Sequence, residues 1–426
     1  MQTVTTSART LPAYGTLLAA LMVLLLALTT PVADAAPPAV TRQAATANAA
    51  FLAYAPAPPT TKALCLVDSG VNATPDLQAG LVSATALDGG SGNDVDPLTH
   101  GTIDAAVAGG AGHGVLGAWP RLKIVSVRAT DVPSPGQSPT FQYNDYVKGI
   151  KTCSSEIAGA QVAAIDLPLS SKIPPTPDQS DAFANAVAQA QAKGISILAA
   201  AGNASGDLQL PANQPGVFAV GAGDANGAAC PFSATTGLTF FAPGCGIDQI
   251  NTVGETFCCG NGTSQASAFA AGVLVALRSY APALTPATAV QFLLSSTRNG
   301  HLDVTAAFRA AGLGALVDAG IAAIPQPTPM APMTAPADAG ATRIARPSVR
   351  RATWRRGMLV ITLKRIPKRT KLHAKVTFNG RKAMYLATSH RRLRARTPRP
   401  RRVVLQLSKG GAKSATVQIK LSRPRR

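Results

Sequence analysis

From about residue 63 to residue 312, short apolar runs alternate with segments of helical period. The runs at 63–67, 122–127, 162–165 and 195–201 have strand length, are rich in Val, Ile, Leu and Ala, and end in or near turn-forming residues. Between them, 143–155 and 181–193 carry apolar residues at helical spacing, and further helices are expected at 286–298 and 304–311. One more helix follows the loop Thr99-His100-Gly101-Thr102, with Ile103, Ala106 and Val107 on one face. The stretch 261–280, NGTSQASAFAAGVLVALRSY, opens on the turn Asn261-Gly262-Thr263 and then runs helically through Ala, Val and Leu. Near-continuous apolar strands separated by helices predict an α/β fold with a mainly parallel sheet covered on both faces. Such sheets carry their sites at the C-terminal ends of the strands.

Outside that region the pattern changes. Residues 1–35 read as an export signal: Arg9, an apolar run over 17–28, and Ala33-Asp34-Ala35 as a small-x-small cleavage site. Residues 36–62 are rich in Ala, Pro and Thr and are expected to form a short, loosely attached arm. The main α/β unit is then expected over 63–323 and a Pro/Ala-rich linker over 324–345. In 346–426 the segments 359–363, 374–378, 403–407 and 415–421 alternate like half-buried strands, with Asn379-Gly380 and Gly410-Gly411 as hairpin turns. A small antiparallel β domain is expected there.

Charge divides the chain at the same place. From Arg343 onward there are 27 Lys and Arg and no Asp or Glu, whereas 13 Lys and Arg face 20 Asp and Glu before it, for a net charge of +20. A basic domain with few aromatics suits an anionic surface polymer or another phosphate-bearing polymer, not base-specific nucleic-acid readout. A merely solvated charged surface is the alternative. The expected location is secreted or cell-surface associated, and the expected state a monomer.

The six cysteines Cys65, Cys153, Cys230, Cys245, Cys258 and Cys259 follow the export signal, an even number that predicts disulfides but allows 15 connectivities. Cys65, just before a strand tip, and Cys153, at the end of a neighbouring helix, are one expected pair; the other four would pair among themselves near Ser264. No Cys/His spacing resembles a zinc site, and no metal or cofactor is expected.

Candidate chemistry sits at the junctions. Ser264 opens a helix, where free amides and the positive dipole end favour an oxyanion. Asp68 ends an apolar strand and is followed by Ser69-Gly70; His100 opens a helix after a loop and suits a general base. Asn203, after Gly202 at another strand tip, offers a side-chain amide donor. Each is ordinary alone, as a cap or turn residue; four at such junctions point to one site.

In that order these segments resemble the subtilisin-like serine proteases over about 64–312. Val67-Asp68-Ser69-Gly70, with Pro75-Asp76-Leu77 behind it, resembles the family's aspartate motif. His100-Gly101-Thr102 resembles the histidine motif, the run ending in Asn203 the oxyanion strand, and Gly262-Thr263-Ser264 the serine motif. The resemblance implies the three-layer subtilisin-like fold, polypeptide substrates, an Asp68–His100–Ser264 triad and an oxyanion hole containing Asn203. It implies a serine endopeptidase; the competing reading is a catalytically silent subtilisin-like binding or scaffolding protein anchored by its basic tail. Departures from the pattern support that second reading. Ile103 and Asp104 replace the family's second histidine and valine, Gln265 follows the serine, and Pro168 interrupts the substrate wall. Asp104 lies one helical turn after His100 and would raise its pKa if it faces it. The loop before Gly114 lacks the family's calcium-ligand asparagine, so no calcium is expected there.

Overall fold

In the computed structural model of the protein, period two is plain in the first strand, β1 (Ala63–Asp68). Leu64 and Leu66 enter the hydrophobic core on one face of the sheet, Cys65 and Val67 that on the other. The structure describes residues 40–325, except 135–136, 172 and 251–253, and the strands between 349 and 419. The export segment and most of the linker lie outside the described residues. The chain divides into two units, Met1–Gln326 and Pro327–Arg426.

In the first unit α1 (Arg42–Thr46) precedes β1, followed by β2 (Leu81–Ala86), α2 (His100–Gly109) and β3 (Lys123–Arg128). Next come α3 (Tyr143–Cys153), β4 (Val162–Leu167), α4 (Pro177–Ala192), β5 (Ser196–Ala200), β6 (Phe218–Gly223) and β7 (Phe240–Pro243). A hairpin of β8 (Cys245–Ile250) and β9 (Thr256–Asn261) leads into α5 (Thr263–Tyr280), and α6 (Pro286–Ser295) follows. The short strands β10 (Thr297–Arg298) and β11 (His301–Leu302), then α7 (Val304–Ala310) and α8 (Gly314–Ala323), complete the unit.

Nine strands form one sheet in the order β10-β11-β7-β6-β5-β4-β1-β3-β2, parallel except for β10 against β11. The chain winds outward from β1 to β2 and β3, then returns to place β4 on the other side of β1. The order therefore reverses beside β1, where the loops leaving adjacent strands diverge and open a crevice at their C-terminal ends. Helix α5 is buried over all its residues, as its nearly uninterrupted small and apolar sequence requires. It packs with α2 on the Leu64/Leu66 face, while Tyr146, Ile150 and Phe183 of α3 and α4 cover the other. Gly272 makes the α2–α5 approach possible, since a Cβ there would lie 2.6 Å from the Ala108 carbonyl oxygen.

The segment 40–62, expected as a loose arm, is instead part of the core. Gln43, Phe51 and Leu52 are buried, and Phe51 packs edge-on against Phe308 at 5.3 Å. The apolar positions Ala47, Phe51, Leu52 and Ala55 were diluted among Pro and Thr, which hid their common face. Cys65–Cys153 ties β1 to α3, and Cys230–Cys245 and Cys258–Cys259 are the other two disulfides, so the four remaining cysteines do pair among themselves.

The second unit is antiparallel, as expected. One sheet joins β12 (Val349–Arg355), β13 (Met358–Leu363) and, numbering along the chain, β16 (Arg392–Arg396). The other joins β14 (Leu372–Phe378), β15 (Lys382–Thr388), β17 (Val403–Lys409), β18 (Ala412–Lys413) and β19 (Val417–Ile419). Leu359, Ile361 and Leu363 are buried at period two. The turn residues Asn379-Gly380 and Gly410-Gly411 lie outside the described residues.

Candidate active site

Asp68 is fully buried at the C-terminal tip of β1, and its Oδ1 accepts from the Ser69 N–H at 2.6 Å and pairs with His100 Nδ1 at 2.8 Å. His100 is brought there by the way α2 begins. The Ser69 hydroxyl accepts from the Gly101 N–H and donates to Asp94, whose other oxygen takes the Thr102 N–H and hydroxyl at 2.8 and 2.6 Å. A carboxylate on first-turn amides is favourable for both partners. Gly101 allows the helix to settle on β1, because a Cβ at that position would lie 2.2 Å from the Gly70 carbonyl oxygen and 3.2 Å from Asp68 Cβ.

On the far side of the crevice Asn203 Oδ1 accepts from the Thr263 N–H at 3.0 Å and the Thr263 hydroxyl at 2.9 Å. The same hydroxyl accepts from the Gly202 N–H at 3.1 Å. The tip of β5 is thus clamped to the start of α5, and the Asn203 amide NH₂ is the end of that side chain left for another group. Ser264 is the second residue of α5, where backbone amides lack intrahelical acceptors. Its hydroxyl donates to the Pro168 carbonyl at 2.9 Å, just past β4. All four predicted residues therefore lie on one side of the sheet: Asp68 bonded to His100, and Asn203 joined through Thr263 to the residue before Ser264. No hydrogen bond joins Ser264 to His100. Gln265 instead donates to Asp104 Oδ1 at 2.8 Å, linking α5 to α2 one residue behind the serine and one turn behind the histidine.

The site is strongly acidic. Asp104 Oδ2 lies 3.7 Å from His100 Nδ1, so the residue faces the ring as its spacing predicted. Burial works against a charged imidazole, but the negative charges of Asp68, of Asp104 when it is ionised and of Asp96 outweigh it and hold the His100 pKa above its ordinary value. Burial pushes the Asp104 carboxyl up, the negative charge of Asp68 adds to this, and His100 and Gln265 only partly oppose it. A third carboxyl, Asp166 on β4, was not singled out from the sequence. It is fully buried, contacts the Ser267 hydroxyl, and is pushed well up by its burial. Its signal was an aspartate inside the apolar run Val162–Leu167.

Asp68, His100 and Asp104 bring ligand-type atoms within 4.8 Å of one another. Of these atoms, His100 Nδ1 is already engaged by Asp68 Oδ1. At the loop where no calcium was expected, both oxygens of the buried Asp76 are taken by backbone amides: Gly112 at 2.9 Å, Gly114 at 2.8 Å and Val115 at 3.4 Å.

The sequence model of the subtilase family matches residues 61–314. The chain belongs to the subtilase family. It is 28% identical over 223 residues to M-protease of Shouchella clausii (strain KSM-K16), covering 51% of this chain and 54% of that protein. Subtilisin Savinase of Lederbergia lenta is 27% identical over 223 residues, covering 51% and 77% respectively. Subtilisin DY of Bacillus licheniformis is 30% identical over 241 residues, covering 54% and 81%. The match spans about half the length of M-protease. Among solved structures, the S41 psychrophilic protease superposes with a TM-score of 0.52 at 24% identity, covering 62% of this chain and 91% of that one. The fold of this subtilase is thereby that of the family, a mainly parallel sheet between helices, with separate antiparallel sheets in its C-terminal region.

Beside the crevice, Ser171 and Leu210 exchange two backbone hydrogen bonds, and the Ser170 hydroxyl donates to Gln209 Oε1 at 3.1 Å. The wall after β4 is therefore fastened to the segment after β5 in this subtilase, beyond the proline that interrupts it.

Proposed function

We propose that the protein is an exported serine endopeptidase in which Ser264 is the nucleophile, His100 the general base and acid, and Asp68 the residue that orients His100. Asn203 and the Ser264 backbone N–H are the oxyanion donors. The observation that carries this is the 2.8 Å bond from His100 Nδ1 to Asp68, which leaves Nε2 as the basic nitrogen facing the crevice. The Ser264 hydroxyl turns from the Pro168 carbonyl toward Nε2 when a substrate enters. Its oxygen bonds to the scissile carbonyl carbon as Nε2 takes its proton, and the negative oxygen that develops meets the two N–H donors. The imidazolium then gives the proton to the leaving nitrogen and the C–N bond breaks. Water, deprotonated by the same nitrogen, releases the acyl group. The Ser264 contact with Pro168 joins the departures around His100 and Ser264 in favouring a catalytically silent protein instead, and labelling of the serine separates the two.

Export agrees with three disulfides, which persist in oxidising surroundings. Among the described residues no helix is long and apolar enough to cross a membrane. In this proposal residues 1–35 direct export, 63–323 hold the peptidase, and the basic unit after the linker holds the enzyme to an anionic, phosphate-bearing polymer. Each phosphate neutralised releases counterions, so retention falls steeply with salt. The Debye length drops from about 10 Å at 0.1 M to about 3 Å at 1 M. Truncation before Arg343 is expected to abolish retention on teichoic-acid-bearing or other polyphosphate matrices while leaving hydrolysis of a small soluble peptide within about twofold, as expected when the basic residues lie in a separate compact unit. Equal retention of the truncated protein, or retention of the full chain in 1 M salt, would count against the anchor.

A further inference from the structure

Asp68 Oδ2 and Asp104 Oδ2 are two of the buried carboxyl oxygens of the site that have no partner among the described residues, Asp166 Oδ2 being the third. The other oxygen of each is committed, Asp68 Oδ1 to Ser69 N–H and His100, and Asp104 Oδ1 to Gln265 Nε2. Asp68 and Asp104 bring carboxylate oxygens within 4.8 Å of each other, and two buried ionised carboxylates so placed would leave both orphan acceptors unsatisfied, at a cost that native interiors avoid. A single proton satisfies both. Since Gln265 donates to Asp104 Oδ1, that oxygen is the carbonyl of the acid and Oδ2 is the hydroxyl.

We propose that Asp104 is held as a neutral carboxylic acid that donates its Oδ2–H to Asp68 Oδ2, making it a positioning residue for the Asp68–His100 pair. This rests on the hydrolase reading above and deepens it. Asp68 then has both oxygens fixed, one under His100 and one on Asp104, and cannot rotate away from the ring. His100 faces one negative charge instead of two, so a neutral imidazole is retained at lower pH than two carboxylates would allow.

The surrounding groups agree. Asp104 is faced by Asp68 from β1, His100 from its own helix, Asp166 from β4 and the uncharged Gln265 from α5. Asp94 and Asp96, in the loop before α2, add further negative charge around Asp68 and His100. Such a concentration of buried acid favours proton retention on the group that has a carboxylate to donate to, and burial raises Asp104 in the same direction. The substitution of the family's valine by Asp104 and the arrival of Gln265 after the serine are in this view one device, since each supplies the other's hydrogen bond.

Asn is the stable mimic of a neutral Asp, with a donor where Oδ2–H stands and an acceptor toward Gln265. D104N is therefore expected to keep kcat/KM at its plateau within about threefold, and D104V to lower kcat about tenfold or more with KM little changed, because it orphans Asp68 Oδ2 and Gln265 Nε2. The pH profile discriminates further. In the wild type a second ionisation next to His100 raises the imidazole pKa as Asp104 loses its proton; D104N lacks this step, and its acidic limb becomes a single transition at lower pH. Equal loss in D104N and D104V would overturn the proposal, as would no loss in either. Carboxyl ¹³C NMR of the full-length wild type, assigned by the disappearance of one signal in D104N, tests the proton itself. Asp104 protonated at pH 6.5 supports the dyad; Asp104 ionised down to pH 5 overturns it. The NMR result does not depend on turnover. A wild type inert at every pH with Asp104 protonated would thus fail the hydrolase reading alone.

Discussion

His100→Ala is expected to lower kcat by about 10⁶, the scale known for the corresponding change in subtilisin, and to leave the fold intact. The loss is large because in the proposed mechanism this ring takes the Ser264 proton and returns it to the leaving amine; without it both steps would need a free hydroxide or hydronium ion. The fold should survive because the ring's bond to Asp68 is not what fixes either element. The start of α2 is fixed by Ser69, Asp94 and Thr102, and Asp68 keeps its bond from the Ser69 N–H. The side chain is also partly exposed, at 26%, so truncation opens the crevice and not the core. Peptide hydrolysis measured together with near-UV circular dichroism checks both halves. A variant with a native spectrum and a kcat within tenfold of wild type would remove His100 from the mechanism.

Asn203→Ala is expected to lower kcat by roughly 10²–10³ with KM little altered, the usual effect of losing one oxyanion donor. A complication follows from the geometry, because Asn203 Oδ1 also holds Thr263 at the start of the serine helix. Asn203→Asp separates the two functions. It keeps the acceptor for Thr263 and replaces the NH₂ donor by an oxygen that repels the oxyanion. Asn203→Asp should therefore fold as well as wild type and be at least as slow as Asn203→Ala. Recovery of activity in Asn203→Asp would mean that the residue only holds the helix, and would remove the side-chain donor from the oxyanion hole.

Much of this site could be read from the sequence because strand tips and helix starts advertise themselves. Asp68, Asn203 and Ser264 each end or begin a run whose apolar pattern fixes the junction, and His100 opens a helix after a loop. The position of Asp104 beside the ring followed from helical spacing alone. Its bond to Gln265 did not, because that depends on how α2 lies against α5, a packing set by small residues such as Gly272 and Ala108. Asp166 was lost in an apolar run, and the β8–β9 hairpin carries Cys, Gly and polar residues with little alternation to reveal it. In the second unit the strand Arg392–Arg396, R-L-R-A-R, does alternate, but with Arg at every second position and only Leu and Ala between them its apolar signal is weak. The core position of residues 40–62 was hidden for a different reason: their partners, such as Phe308, lie more than two hundred residues away. Long-range packing of this kind leaves no local period to read.

Active-site labelling tests the central claim, that Ser264 is a nucleophile activated by His100 and Asp68, most directly. The oxidised full-length protein is treated with a fluorophosphonate, and the modified peptide is located by mass spectrometry. Stoichiometric modification of Ser264 in the wild type, absent in Ser264→Ala and suppressed in His100→Ala, is the expected result. A correctly disulfide-bonded wild type that stays unlabelled over the whole pH range of stability would contradict it.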